Sequence, residues 1–187
     1  MKIGVTGKFG TGKTTFSEFL SKGKIKIISG DELGKELLKE NQKEIFTYLN
    51  LKHDQNYLER LKESITKDEN IFVKYNNWMY THLPDYIIGI CEKYDDVILD
   101  AALIFEWQID YYFDNIILIK DGDFEERFRR VFEKKGGADR ELYKLLDRYQ
   151  WTDEKKTLFC DFLVENNGSL EQLKKSADEI FNKIFSS

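Results

Sequence analysis

Proline occurs once in the 187 residues, cysteine and histidine twice each, and arginine only six times. Cys91 and Cys160 are too few for a disulfide framework and lack the close paired spacing of a metal site. Both read as small buried hydrophobes of a reducing compartment. His53 and His82 are too few and too scattered for a zinc centre. No apolar run reaches the roughly 20 residues of a membrane helix. The opening stretch from Met1 to Gly7 is too short in apolar residues for a secretion signal. The expected location is therefore cytoplasmic, with no membrane partner. A net charge of -5 argues against nucleic acid as a partner, so any bound anion must be held by a local positive site.

What is present suits one folded domain. Hydrophobic residues make up 41% of the chain and charged residues 34%, which excludes a disordered chain. Five short apolar runs read as strands: Lys2–Thr6, Lys24–Ile28, Asp96–Asp100, Asn115–Lys120 and Asp161–Glu165. Several are near-continuous in Val, Ile and Leu, as in a parallel sheet covered on both faces. Helical patterns separate them, giving an α/β class. The second and third strands lie far apart, so residues 31–95 are expected to form an inserted helical lobe. Residues 121–150 hold two helix patterns broken at Gly136-Gly137, and a closing helix is expected after Ser169. The core would then be 1–30, 96–120 and 151–187.

Gly7-Lys8-Phe9-Gly10-Thr11-Gly12-Lys13-Thr14 fits G-x-x-x-x-G-K-[ST] in full, directly after a predicted strand and before a predicted helix. The glycines let successive backbone N–H groups turn inward onto phosphate oxygens, and the helix N-terminus adds partial positive charge. Lys13 can reach the outer phosphates and the Thr14 hydroxyl can ligate Mg2+. At this composition chance supplies about one such match per hundred chains, so nucleoside triphosphate binding is the reading of choice. A GTPase switch would need a guanine-reading N-K-x-D, which the sequence lacks. The match of Asp31-Glu32-Leu33-Gly34 to D-x-x-G is too loose to count. A small kinase remains, and it needs an acid at the acceptor and cations over the moving phosphoryl group.

Asp31 follows the second strand at the sheet end that carries the loop, where it can hold or deprotonate an acceptor hydroxyl. Its competing role is that of helix N-cap, shared with Ser29. Asp100 ends the third strand, the usual place for an acid that orders Mg2+. Five of the six arginines fall between 127 and 148. Arg127, Arg130 and Lys134 form one cationic stripe, and Arg140, Lys144 and Arg148 a second. Arginine's planar fork suits phosphate, so the pair reads as a lid with a glycine hinge. The bland alternative is two solvated helices balanced by their own acids. Trp78, Trp107 and Trp151 read mainly as packing.

End to end, the chain resembles the dephospho-CoA kinase family. The resembling segments are Ile3–Thr15, Ile27–Leu33, Val97–Glu106 with its L-I-F-E ending, Asp114, Arg140–Gln150, and Asp161–Leu170 with its V-E-N-N-G-S-L ending. The departures are Ser29 for an Asp, Ala102 for a Pro, a His82-Leu83-Pro84 run where the family has adjacent His-Pro, and Lys134 for a lid arginine. The resemblance implies a three-layer P-loop NTPase fold with a five-stranded parallel sheet, helical acceptor lobe and helical lid. It implies ATP-dependent phosphorylation of the ribose 3′-hydroxyl of dephospho-CoA by a monomer. Asp31 would be the base or positioning acid. Gly7, Gly10, Thr11, Gly12, Lys13, Thr14 and Thr15 would hold ATP, with Asn167 and Gly168 near the adenine. Thr14 and Asp100 would order Mg2+. Lys13, Arg130 and Arg140 would act on the phosphates, while Glu106, Asp31 and Arg130 would meet the acceptor. From the residues alone, a nucleoside or nucleotide kinase and a non-catalytic nucleotide-binding regulator remain alternatives.

Overall fold

In a computed structural model that describes residues 1–185, the apolar runs become the strands of one parallel sheet. β1 (Lys2–Thr6) leads through the glycine loop into α1 (Lys13–Ser21), and β2 (Lys26–Ser29) follows. Four helices come next: α2 (Gly30–Glu40), α3 (Gln42–Tyr48), α4 (Tyr57–Lys67) and α5 (Glu69–Cys91). β3 (Val97–Asp100), a short 3-10 turn (Asp110–Tyr112) and β4 (Asn115–Lys120) return the chain to the sheet. α6 (Phe124–Lys135), α7 (Arg140–Tyr149) and α8 (Asp153–Thr157) then lead to β5 (Phe162–Glu165) and α9 (Leu170–Phe185). The strand order is β2-β3-β1-β4-β5, all parallel.

Burial on both faces explains the unbroken apolar runs. Val97 and Leu99 point into a core shared with α2, α3 and α5, while Ile98 points the other way to join Ile3, Val5, Ile117 and Ile119 against α1 and α9. α9 begins with reciprocal side-chain bonds. The Gln172 N–H donates to Ser169 Oγ at 3.3 Å, and the Ser169 N–H donates to Gln172 Oε1 at 2.7 Å. Leu173, Ala177, Ile180 and Ile184 are its buried stripe, whereas Leu170 stays 64% exposed.

The second strand lies two residues later than its apolar run suggests at the start. Lys24 and Ile25 are spent in a turn, both donating to Ser21 O, and Ser29 is drawn into the sheet opposite Asp100. That shift decides the capping of α2. Ser29 Oγ accepts from the Glu32 N–H at 3.3 Å, so Ser29 is the cap and the Asp31 side chain is left over in the first turn, exposed. Cys91 is buried as expected, but Cys160 is only half-buried at the sheet's edge, because β5 packs one face only. Asp114 and Asp161 close strand ends, accepting from the backbone N–H of Lys2 and Ile116 at 2.7 Å each. No helix among the described residues is long and apolar enough to cross a membrane.

Candidate functional site

β1 and β3 end side by side, and the residues just past them form the site. Gly12 is the N-cap of α1 with φ +92°, and Gly10 lies at φ +72°, backbone that side chains rarely adopt. A Cβ on Gly10 would sit 2.6 Å from the Arg127 carbonyl oxygen, so glycine there lets α6 close directly onto the loop. Gly7 backs onto the Ile119 carbonyl. Thr11 is buried and its hydroxyl donates to Lys8 O at 2.9 Å, which holds the loop's curl. Thr15 is half-buried one position beyond Thr14 in α1.

Lys13 opens α1 and turns its ammonium back over the loop, donating to Lys8 O at 2.9 Å. Burial holds its pKa below the usual lysine value, and the Asp100 and Asp31 carboxylates offset part of that. Thr14 Oγ1 donates to Asp100 Oδ2 at 2.5 Å. Burial pushes the Asp100 carboxyl above the usual carboxylate range, against the pull of Lys13 and the Thr14 hydrogen bond, and the Asp31 charge raises it further. Asp31, Lys13, Thr14 and Asp100 therefore form one electrostatic cluster at the loop mouth.

The segment 121–150 lies against this cluster. Phe9, at the loop's apex, packs edge-on to Phe124 (5.6 Å between ring centroids) and Tyr143 (4.8 Å), with the Arg127 guanidinium 4.9 Å from its ring. Asp147 of α7 holds Lys8 at 3.2 Å and Arg127 at 3.0 Å. Arg130 pairs with buried Asp121 and with Glu126, and it reaches Gly10 O at 3.4 Å. The Lys134 charge is felt at Asp100. The first cationic stripe thus faces the loop.

The second stripe does not. Arg140 pairs with Glu125 and lies over Phe124 and Phe128, Lys144 pairs with Glu141, and Arg148 with Glu69 of α5. Arg140 stands off the loop because α7 turns its Tyr143 and Asp147 face inward. Glu106 also differs from expectation. It is 4% exposed, and its Oε1 accepts from the Trp151 N–H at 2.7 Å and from Lys156 at 3.0 Å. Asn167 and Gly168 are exposed; the asparagine that reaches the loop is Asn166, donating to Thr11 O at 2.9 Å. Sequence reasoning passed over Asn166, Asp147 and Lys156. Asn166 shares its doublet with Asn167, and only its backbone bond to Lys120 O, just past β5, tells them apart. Asp147 and Lys156 carry no local signal.

Mg2+ fits the donor set. A hydroxyl and a carboxylate in direct contact offer hard oxygens, and no cluster of three or more His, Cys, Asp or Glu occurs among the described residues. That is the sparse protein ligation that leaves room for phosphate oxygens and water.

The family model described as dephospho-CoA kinase matches residues 1–172. A dephospho-CoA kinase of Fusobacterium nucleatum is 29% identical over 98% of each chain. Among solved structures, a Thermus thermophilus protein superimposes with a TM-score of 0.76 at 22% identity, covering 98% of this chain and 97% of that one. A dephospho-CoA kinase from Campylobacter jejuni does so with a TM-score of 0.69 at 20% identity, covering 98% of each.

Proposed function

The chain belongs to the dephospho-CoA kinase family, and on that premise we propose how its site carries the γ-phosphoryl group of ATP to the ribose 3′-hydroxyl of dephospho-CoA. The observation that carries the reading is the meeting of Lys13, Asp31 and the Thr14–Asp100 pair at one loop mouth, with Asp31 released from capping by Ser29.

The loop amides from Gly7 to Thr15 cradle the phosphates. Lys13 leaves its resting bond to Lys8 O and neutralises charge on the β- and γ-oxygens. Thr14 and Asp100 would hold Mg2+, which screens the phosphate charge and orients the γ-group. Asp31, exposed at the start of α2, accepts the proton of the acceptor hydroxyl or fixes it in line. The segment 121–150 acts as the lid. Arg130 and Lys134 supply its cations at the transferred group, and Arg127 with Phe9 seats it on the loop. Arg140 serves lid packing through Glu125. Dephospho-CoA would lie between α2, α5 and the turn after β3.

The test is ATP-dependent phosphorylation of dephospho-CoA by purified protein. Lys13→Ala is expected to lower kcat by about 100- to 1,000-fold, as loss of one charge-stabilising donor does. Asp31→Asn is expected to lower it by about 100- to 10,000-fold, the range of a positioned base. Protein that phosphorylates a panel of nucleosides and leaves dephospho-CoA untouched would refute the reading.

A further inference from the structure

Lys156 is the one lysine among the described residues with no exposed surface. It sits on α8, just past the lid, and its ammonium donates to Ala102 O at 2.6 Å and meets Glu106 Oε1 at 3.0 Å. Ala102 O also accepts from the Thr6 hydroxyl at 3.1 Å, and Thr6 is the last residue before the glycine loop. The Ala101 N–H donates to Val5 O, and the Ala101 methyl packs so tightly on Gly30, next to Asp31, that a Cβ on Gly30 would lie 2.7 Å from it. Glu106 Oε1 in turn takes the Trp151 N–H, which fixes the lid's exit. The turn from Ala101 to Glu106 therefore touches the base of the loop, the start of α2 beside Asp31, and the end of the lid. One buried ion pair clamps all three.

Stability alone does not account for such a pair. Burying two charges roughly cancels their attraction, and an apolar pair of the same size would stabilise the fold as well or better. Glu106 Oε2 is buried with no partner, a further cost. What the pair supplies that leucine and methionine could not is direction: two hydrogen bonds to backbone, at Ala102 O and the Trp151 N–H, joined through the ion pair.

We propose that Glu106 and Lys156 are positioning residues, holding the Ala101–Glu106 turn in the register that sets Asp31 and Asp100 opposite the phosphate loop. This rests on the kinase reading above. Neither side chain needs to touch ATP or the acceptor.

Glu106→Gln keeps the side-chain volume and an acceptor for Trp151 while removing the charge that holds Lys156, and the deciding variant is the double one built on it. Glu106→Gln/Lys156→Met removes both charges and leaves none buried alone. ADP and phosphorylated product are measured separately, with KM for ATP and the melting temperature. The expected result is a fall in kcat of about tenfold or more with KM for ATP within about twofold. More ADP than product is also expected, as water competes at a displaced acceptor. The double variant should melt near the wild type, whereas Glu106→Gln alone, which leaves the Lys156 charge buried without its acid, should melt lower. A merely structural role leaves ADP and product equal and kcat per folded molecule unchanged, and that result would overturn the proposal. So would failure of the double variant to fold, which would assign the pair to stability. Wild-type protein that does not phosphorylate dephospho-CoA would bring down the kinase reading and this proposal together.

Discussion

Asp147 gives the sharpest handle on the docked lid. Its carboxylate holds both Lys8 of the loop and Arg127 of α6, and the Arg127 side chain is only 5% exposed. Asp147→Asn removes the charge and keeps the shape. The guanidinium is then left against Phe9 with Nη1 already lacking a partner and Nη2 facing a neutral amide. A hydrogen bond to a charged group contributes about 1.5–3 kcal/mol net. Because the Asp147 side chain is 22% exposed, the lower part of that range applies. A loss of about 2 kcal/mol shifts the docked–undocked equilibrium roughly 30-fold. The cost falls on the seam between lid and loop, since neither sheet core includes these residues. Hydrogen exchange should therefore speed up about 30-fold across 121–150 and little in β1, β3 and β4. KM for ATP should rise while the melting temperature stays within a few degrees. Unchanged exchange in the lid would refute the reasoning. Equal acceleration across the sheet would also do so, by making the contact part of the global core.

The two cationic stripes make opposite predictions. Lys134→Ala should lower kcat by about tenfold, because its charge is felt at Asp100 beside the proposed phosphate site, whereas Arg140→Ala should change kcat less than about threefold. Steady-state kinetics of the two variants side by side decide it, and equal losses would return Arg140 to the site. The proposed Mg2+ site carries a pH signature. A carboxyl raised by burial takes up its proton at a higher pH than in the unfolded chain, so the metal-competent form of Asp100 is lost earlier as pH falls. Mg2+ should therefore half-saturate at higher concentration on acidification while the pH is still above the ordinary value of 3.8, and in that acid range metal binding should release a proton. Asp100→Asn should abolish that release.

Those parts of the fold whose cause is local were legible in the sequence. The glycine loop is a backbone motif, so its residues name themselves. The strands are apolar runs whose ends shifted only where a turn at Ser21–Ile25 or a pairing with Asp100 intervened. The first cationic stripe was readable too, since Arg127, Arg130 and Lys134 share one helix face. The second was misleading for the same reason. Periodicity shows which residues share a face, and it is silent on whether that face meets the loop or solvent. Only the inward turn of Tyr143 and Asp147 settles this. Glu106 was singled out as an acceptor contact, but its pairing with Lys156 was beyond reach. They are 50 positions apart, and each looks alone like a surface charge.

The scarcity of arginine acquires a physical meaning at this seam. Lys13 and Lys156 are lysines held in low-dielectric surroundings, and in both the pKa is pushed down by burial. Lysine can yield to such an environment by losing its proton, whereas a guanidinium cannot. A lid that must stay cationic while pressed against Phe9 therefore needs arginine at its most buried position. Arg127 occupies it, 4% exposed, while Lys134 at the open end of the same stripe remains a lysine in water. Each buried cation also has its own acid, Asp147 for Arg127 and Glu106 for Lys156, and half-buried Arg130 has Asp121. Lys13 is the exception, bonded to a backbone carbonyl and balanced only at a distance by Asp100 and Asp31. In an acidic chain, that incompletely neutralised lysine is what a triphosphate would find. Arg127→Lys should then weaken lid seating, because a lysine keeps one charge but loses the planar fork that reaches Asp147 and stacks on Phe9.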